Sequence, residues 1–246
     1  MFEVKIPLKS DFPIFWDKKA PPEVHAHPGI DKQTSAIFAS FAPSMFPGDE
    51  PHMAFAKLVH KWCQRLRPVH GTAGWGITRS GGRGHAERMR PFVAPYLLRF
   101  PGLDMPNITY SYLFAKYIAN INWLTIINGE MAEQVGGPER LKALGEDFHI
   151  SEYPGGYVIQ AGERPKIGDR NERDIPGHYG KVQNLLLPLY PPLPCMGYIT
   201  PDLLTPGAGS EFKTTWFLGN LVSNEVQAFL EQWLHRFDAN WRPENT

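Results

Sequence analysis

Hydrophobic and polar positions alternate over short stretches that proline and glycine interrupt repeatedly. Phe2-Glu3-Val4-Lys5-Ile6 has the two-residue period of a half-buried strand, and residues 34–41 resemble a buried strand. Residues 121–127 are a short apolar run rich in β-branched side chains, which favours a buried strand over a helix. Residues 10–30, with four prolines, are predicted to be a loop or an edge excursion.

One segment in the first third of the chain has a clear helical period. Its apolar positions recur every three or four residues: Phe55, Leu58, Val59, Trp62 and Leu66. We expect Asp49 to cap its N-terminus and Pro68 to end it. Its polar side carries four cations: Lys57, Lys61, Arg65 and Arg67. Two further helices are predicted at residues 177–187 and 223–237.

A hairpin is predicted at residues 148–161, where two strand-like runs flank Pro154-Gly155-Gly156. Strands mixed with single helices, without regular βαβ alternation, predict an α+β fold with a mostly antiparallel sheet and helices packed on it. We assign residues 1–246 to a single domain. Residues 34–78 and 157–218 share the order strand, loop, helix, proline stop, strand, so two related halves at about 1–118 and 119–246 remain an alternative.

Composition narrows the class of protein. The 246 residues carry no net charge, which argues against general affinity for membranes or direct binding of nucleic acid. Cys63 and Cys195 are too few for a disulfide framework. Residues 1–10 lack the apolar region of a signal peptide, and no apolar run approaches the roughly 20 residues of a membrane helix. We therefore predict a cytoplasmic protein, with an oligomeric state that the sequence leaves open.

The charges are distributed unevenly along the chain. Residues 57–99 contain nine Lys or Arg against the single acid Glu87. Residues 129–152 contain six acids against Arg140 and Lys142. The first span would suit a polyanion, and the second would suit a basic partner surface.

Candidate reactive groups are incomplete. His85-Ala86-Glu87 with Pro194-Cys195 resembles a zinc-deaminase pattern, but Tyr198 stands where the last cysteine ligand belongs. His25 and His27 lack a third ligand nearby, so no metal or cofactor is predicted. A small hydrolase or transferase using Asp169, Asp174 and His178 remains the alternative from a different class.

Several sequence blocks carry a family resemblance. They are Phe100-Pro101-Gly102-Leu103-Asp104, Asn122-Trp123-Leu124-Thr125-Ile126-Ile127-Asn128, Gly136-Gly137-Pro138-Glu139-Arg140-Leu141, Gly168-Asp169-Arg170-Asn171 and Trp233-Leu234-His235-Arg236-Phe237-Asp238. Together they resemble bacterial type VI secretion immunity proteins of the TsiV type, which protect against effectors with a VRR-NUC nuclease domain. The resemblance covers about residues 34–238. It implies that the chain has no catalytic residues and binds and neutralises a cognate effector toxin, a nuclease, by stoichiometric occlusion.

A nuclease partner would give the acidic span a purpose. A surface that attracts phosphates presents Lys and Arg, and carboxylates on an inhibitor can occupy it in place of phosphates. The resemblance therefore suggests a partner-binding surface made of five acids and one aromatic anchor: Glu130, Glu133, Glu146, Asp147, Glu152 and Tyr153.

Overall fold

A seven-stranded sheet organises the part of the chain that the computed structural model describes, which is residues 2–9, 24–28, 34–46, 48–77, 96–104, 117–118, 120–190, 232 and 234–240. Its strands are β1 (Phe2–Lys9), β2 (Val24–Pro28), β3 (Thr34–Phe41), β4 (His70–Trp75), β5 (Leu124–Asn128), β6 (Phe148–Tyr153) and β7 (Gly156–Ala161). The order is β2-β3-β1-β4-β5-β7-β6, and neighbouring strands pair antiparallel throughout. The predicted α+β fold with a mostly antiparallel sheet is confirmed.

Four helices are described along their whole length: α1 (Pro51–Leu66), α2 (Gly129–Gln134), α3 (Gly137–Lys142) and α4 (Gly177–Leu186), with 3-10 turns at Pro43–Met45 and Leu187–Leu189. Residues 96–99 are also helical. The helix α1 begins at Pro51. Proline is tolerated there because the first backbone N–H groups of a helix have no acceptor within the helix, so the N–H that proline lacks costs no hydrogen bond. The residue before it is Glu50, and no side chain caps the end, so the prediction of Asp49 as cap was wrong. In contrast, the Asn128 side chain accepts a hydrogen bond from the backbone N–H of Met131 and caps α2.

The prediction for residues 10–30 was a loop or an edge excursion, and the described part of this segment is an edge strand. Within residues 10–30, the segment Val24–Pro28 forms β2, which pairs with β3 from Val24↔Ala39 to Pro28↔Ser35. Proline is tolerated there because β2 is an edge strand and Pro28 is its last residue. Most of the predicted helix at residues 223–237 lies outside the described residues.

The core is centred on β5 and the residues just before it. Trp123 is fully buried, and its indole Nε1 donates to the carbonyl oxygen of Gly162 at 2.9 Å. Next to it, the Asn122 carboxamide donates to the Trp75 carbonyl at 3.1 Å and accepts from the Trp123 backbone N–H at 2.7 Å. The same carboxamide fills the space that a Cβ at position 74 would need. Gly74 is therefore required for β4 to approach the start of β5.

The two ends of the sheet repeat one connectivity. In the first, β1 is followed by the β2–β3 pair, which lies beside it in the order β2-β3-β1, and α1 follows. In the second, β5 is followed by the β6–β7 pair in the order β6-β7-β5, and α4 follows. The helices α2 and α3 between β5 and β6 have no counterpart among the described residues between β1 and β2. A single domain and two related halves both stay predictions.

Replacing Tyr153 with phenylalanine is expected to lower the free energy of unfolding by about 1–2 kcal/mol. The hydroxyl donates to the carbonyl oxygens of Pro68 at 2.9 Å and Ile127 at 3.2 Å, both buried. Urea denaturation measures the loss, and Tyr157→Phe, at a half-buried tyrosine, is the control. Equal midpoints for the Tyr153→Phe variant and the wild type would contradict the structural role of this hydroxyl.

Candidate functional site

Two of the sequence blocks that carry the family resemblance lie against each other. The backbone N–H of Gly102 donates to the Ile167 carbonyl at 2.8 Å, and that of Arg170 donates to the Arg99 carbonyl at 2.9 Å. A Cβ at position 102 would overlap the Lys166 carbonyl and would lie 2.8 Å from the Ile167 carbonyl oxygen. Because both obstacles are backbone atoms, only glycine permits this approach.

Several hydrogen bonds hold the Asp169 carboxylate in place at this contact. Arg99 donates from Nε at 3.1 Å and from Nη2 at 2.7 Å, and the Asn171 backbone N–H donates at 2.9 Å. The hydrogen bond from Arg99 is the main cause of a lowered pKa at Asp169. A carboxylate held ionised by a bidentate arginine is a structural element rather than a proton acceptor near neutral pH.

The Asp169, Asp174 and His178 side chains do not form one constellation. The Asp174 carboxylate lies 3.9 Å from Lys166 Nζ, and His178 Nε2 lies 3.4 Å from an oxygen of Asp147. Within the described residues no side-chain hydrogen bond joins any two of these three groups. The geometry expected for the enzyme alternative is therefore not formed.

The last of these sequence blocks contributes Arg236, which contacts the same region. Arg236 is fully buried, and its Nη2 donates to the Asn120 side-chain oxygen. Its own backbone carbonyl accepts from Arg170 Nη1 at 3.0 Å. Burial lowers the pKa of Arg236, and the charge of Asp104 and the Tyr190 hydroxyl counteract part of that effect. The blocks that carry the family resemblance thus build a structural centre in which Arg236 and Asn120 are buried and the Arg99–Asp169 pair is exposed.

The buried His70 gives a pH-dependent prediction. Burial lowers the pKa of His70 to about 3, whereas an unfolded histidine titrates near 6.5. Below pH 6.5 the unfolded chain takes up a proton that the folded chain does not, so stability falls with falling pH. The loss due to this residue is expected to reach about 2 kcal/mol at pH 5.

Urea denaturation at pH 7.5 and pH 5 measures that loss. The His70→Gln variant should lose less stability between these pH values than the wild type, because glutamine does not titrate. His149→Gln, at an exposed histidine, is the control and should behave as the wild type does. A His70→Gln variant that loses as much stability as the wild type would contradict the assignment.

A surface cavity brings two of the predicted acids together. We call it the acidic cleft, with a volume of about 440 Å³ and lining residues Glu146, Asp147, Phe148, His149, Gln160, Gly162, Glu163 and His178. The carboxylates of Glu146, Asp147 and Glu163 belong to exposed residues. They stand at the start of β6 and just after the end of β7, because Phe148 pairs with Ala161.

Rigid contacts hold the floor of the acidic cleft. The rings of Phe148 and His178 meet edge to face, with centroids 5.4 Å apart. The Gly162 carbonyl accepts from Trp123 Nε1 and, at 3.1 Å, from Gln160 Nε2. The cleft is therefore anchored to the core through Trp123, and its three carboxylates project from a fixed base.

The other predicted partner-binding residues lie elsewhere. Glu130 and Glu133 are exposed on α2, with Glu133 close to Gly137 at the start of α3, and Glu152 is exposed on β6. Tyr153 is 2 % exposed, and burial raises the pKa of its hydroxyl. Because this side chain packs in the core, it cannot serve as an anchor for a partner in this conformation.

Sequence reasoning missed Glu163, His149 and Gln160. The signal was available, since the two-residue turn at Pro154-Gly155 fixes the hairpin register as Tyr153↔Gly156 to Phe148↔Ala161. Extending that register by one pair places Asp147 opposite Gly162. It follows that residues 146–149 and 160–163 are neighbours.

The described residues offer no reactive centre of the kinds considered above. No group of three or more His, Cys, Asp or Glu side chains in that part of the chain is arranged to hold a metal ion. His85 and Cys195 lie outside it, and only the backbone is described at His25 and His27. None of the described helices is both long and apolar enough to cross a membrane.

Comparison with known proteins shows a matching family and a similar solved structure. The family model TsiV, described as type VI immunity for VRR-NUC, matches residues 22–191. The solved structure of the Pseudomonas aeruginosa T6SS protein PA0821 is similar with a TM-score of 0.59 and 25 % sequence identity, over 83 % of this chain and 53 % of that chain. The chain thus spans about half the length of that structure. A comparison with curated protein sequences gave no match.

Proposed function

Because the chain belongs to the TsiV family of type VI immunity proteins for VRR-NUC, we propose that it binds a cognate nuclease effector in the cytoplasm and neutralises it by stoichiometric occlusion. The observation that carries this proposal is the family match over residues 22–191, which includes the helices α1 to α4 and every strand of the sheet except β1. The similarity to a T6SS protein structure supports it.

The acidic cleft is the proposed centre of the effector-binding surface. Glu146, Asp147 and Glu163 place three carboxylates on a base fixed by paired strands, which limits the entropy lost when a partner binds. A surface that binds phosphates carries cations, so these carboxylates would speed encounter and occupy it. Glu130, Glu133 and Glu152 remain proposed members of the surface, and Tyr153 is left out because it is buried.

The interface must extend beyond the cleft. Stable protein complexes bury on the order of 1,600 Å² in total, and a cavity of this size supplies only part of such an area. The exposed acids of α2 and β6 are the proposed extension, since they belong to the same acidic span.

Inhibition without catalysis is part of the proposal. Support comes from the separate partners of Asp169, Asp174 and His178, which engage Arg99, Lys166 and Asp147 respectively. A stoichiometric inhibitor binds its target tightly through a complementary surface and forms no covalent bond with it. Asp169, Asp174 and His178 therefore need no more than a structural role.

Co-expression with the effector encoded next to this chain tests the proposal. The wild type should restore growth, and the variant Glu133→Lys with Asp147→Lys should not. The control variant Asp49→Lys with Glu172→Lys carries the same change of charge at exposed residues outside the acidic span, and should restore growth. Failure of the wild type would contradict the proposed function, and rescue by the first variant would contradict the acidic surface alone.

A further inference from the structure

The outward face of α1 carries a stripe of cations. Lys57, Lys61 and Arg65 follow one another at four-residue spacing, so they lie along one side of the helix and rise about 6 Å at each step. All three are exposed, whereas Phe55, Val59 and Cys63 are buried on the opposite side. The helix contains no acidic residue that would neutralise the stripe.

These cations also lack partners from elsewhere in the described residues. Arg99, Lys142, Arg164 and Lys166 each form an ion pair with an acid, while Lys57, Lys61 and Arg65 form none within that part of the chain. The partial negative charge at the C-terminus of a helix explains a cation at position 65. It does not explain Lys57 and Lys61, which lie in earlier turns.

The stripe has the character of a surface for a polyanion. Protein interfaces are anchored by large apolar or aromatic side chains at their centre. The exposed large hydrophobic residues of the described part are Met45, Tyr96, Ile167 and Leu187, and none of these lies on α1. Contacts to phosphates need only exposed Lys and Arg on a convex element, and a helix fits the major groove of a duplex.

We propose that the cation stripe of α1 contacts the sugar-phosphate backbone of nucleic acid without reading its sequence. This goes beyond neutralisation of the effector, because it would hold the protein near the polymer on which a nuclease acts. The zero net charge argues against general affinity for polyanions, but the local charge of α1 decides contact at short range. With three phosphate contacts the affinity is weak, with a dissociation constant on the order of 10⁻⁴ M at physiological salt.

Fluorescence anisotropy with a labelled DNA duplex and, separately, a labelled single-stranded RNA tests the proposal. The wild type should bind at low salt, and the logarithm of its association constant should fall with the logarithm of salt concentration with a slope of about −2 to −3. The variant Lys57→Gln, Lys61→Gln, Arg65→Gln should bind at least about tenfold more weakly with a slope near zero. The control Arg140→Gln, Lys142→Gln, Arg173→Gln removes the same charge at exposed positions and should bind as the wild type does.

Each other outcome overturns the proposal. If the wild type binds neither polymer at low salt, the proposal is contradicted directly. If both triple variants lose the same affinity for nucleic acid, the net charge of the protein explains the binding and the position of the cations on α1 does not. If nucleic acid does not bind but effector affinity falls in the α1 variant alone, the stripe belongs to the effector interface. Binding that both triple variants keep would place the contact away from α1 and would also contradict the proposal. Binding to either polymer that only the α1 variant loses supports the proposal and identifies the polymer.

Discussion

Replacing Arg236 with alanine is expected to lower the free energy of unfolding by about 3–5 kcal/mol. The guanidinium is fully buried, donates to Asn120, and lies over the Phe237 ring with Cζ 4.2 Å from the ring centroid. Truncation leaves the Asn120 acceptor without this donor. It also opens a cavity where a large side chain was packed.

Urea denaturation measures this effect, with Arg173→Ala as the control because Arg173 is exposed. The Arg236→Met variant separates charge from volume, since methionine keeps most of the packing but not the donor. If the Arg236→Ala variant loses less than about 1 kcal/mol of its free energy of unfolding, the site relaxes or admits water. That result would contradict a structural role for Arg236.

Reversing the three carboxylates of the acidic cleft is expected to weaken effector binding at least about a thousandfold, which corresponds to about 4 kcal/mol. The variant is Glu146→Lys, Asp147→Lys, Glu163→Lys. Reversal removes three attractions to a basic partner surface and introduces three repulsions, and the cleft cannot rearrange easily because Gly162 is tied to Trp123. The exposed pair between Asp147 and His178 is also lost, but exposed pairs add little to stability.

Surface plasmon resonance at two salt concentrations measures the change in affinity, and unfolding midpoints verify that the variant folds. The matched control is Asp49→Lys, Glu172→Lys, Asp238→Lys, which makes the same change of charge at exposed positions outside the acidic span. Equal affinities of the cleft variant and the control would exclude the acidic cleft from the effector interface.

Local patterns in the sequence predicted the fold well where two signals agreed. The runs at 148–153 and 157–161 had strand-like composition and the Pro154-Gly155 turn between them, and the structure has β6 and β7 at those places. The bounds of the strand β2 were not predicted, because the four prolines of residues 10–30 left a loop and an edge excursion as equal alternatives, although an edge strand tolerates proline at its end. Pairing with β3 supplies the stability that local preference does not.

The candidate site was harder to predict because it depends on which side of an element faces the core. Tyr153 and Glu152 are adjacent on β6, and Tyr153 is the one that points inward, where its hydroxyl donates to the Pro68 carbonyl oxygen. Arg236 was not expected in the core, since arginine is rarely fully buried without partners far away in sequence, here Asn120 and Asp104. Asp147 and Glu146 were predicted from charge alone, whereas Glu163 required the hairpin register.

The most direct test of occlusion is a titration of purified effector nuclease with purified wild-type protein, with the effector well above the dissociation constant. Nuclease activity should fall linearly and reach zero at one molecule of this protein per effector, and the two should co-elute as a stable complex. Loss of activity at a small fraction of one equivalent would indicate a catalytic mechanism and would contradict occlusion. Full activity in excess protein would contradict neutralisation itself.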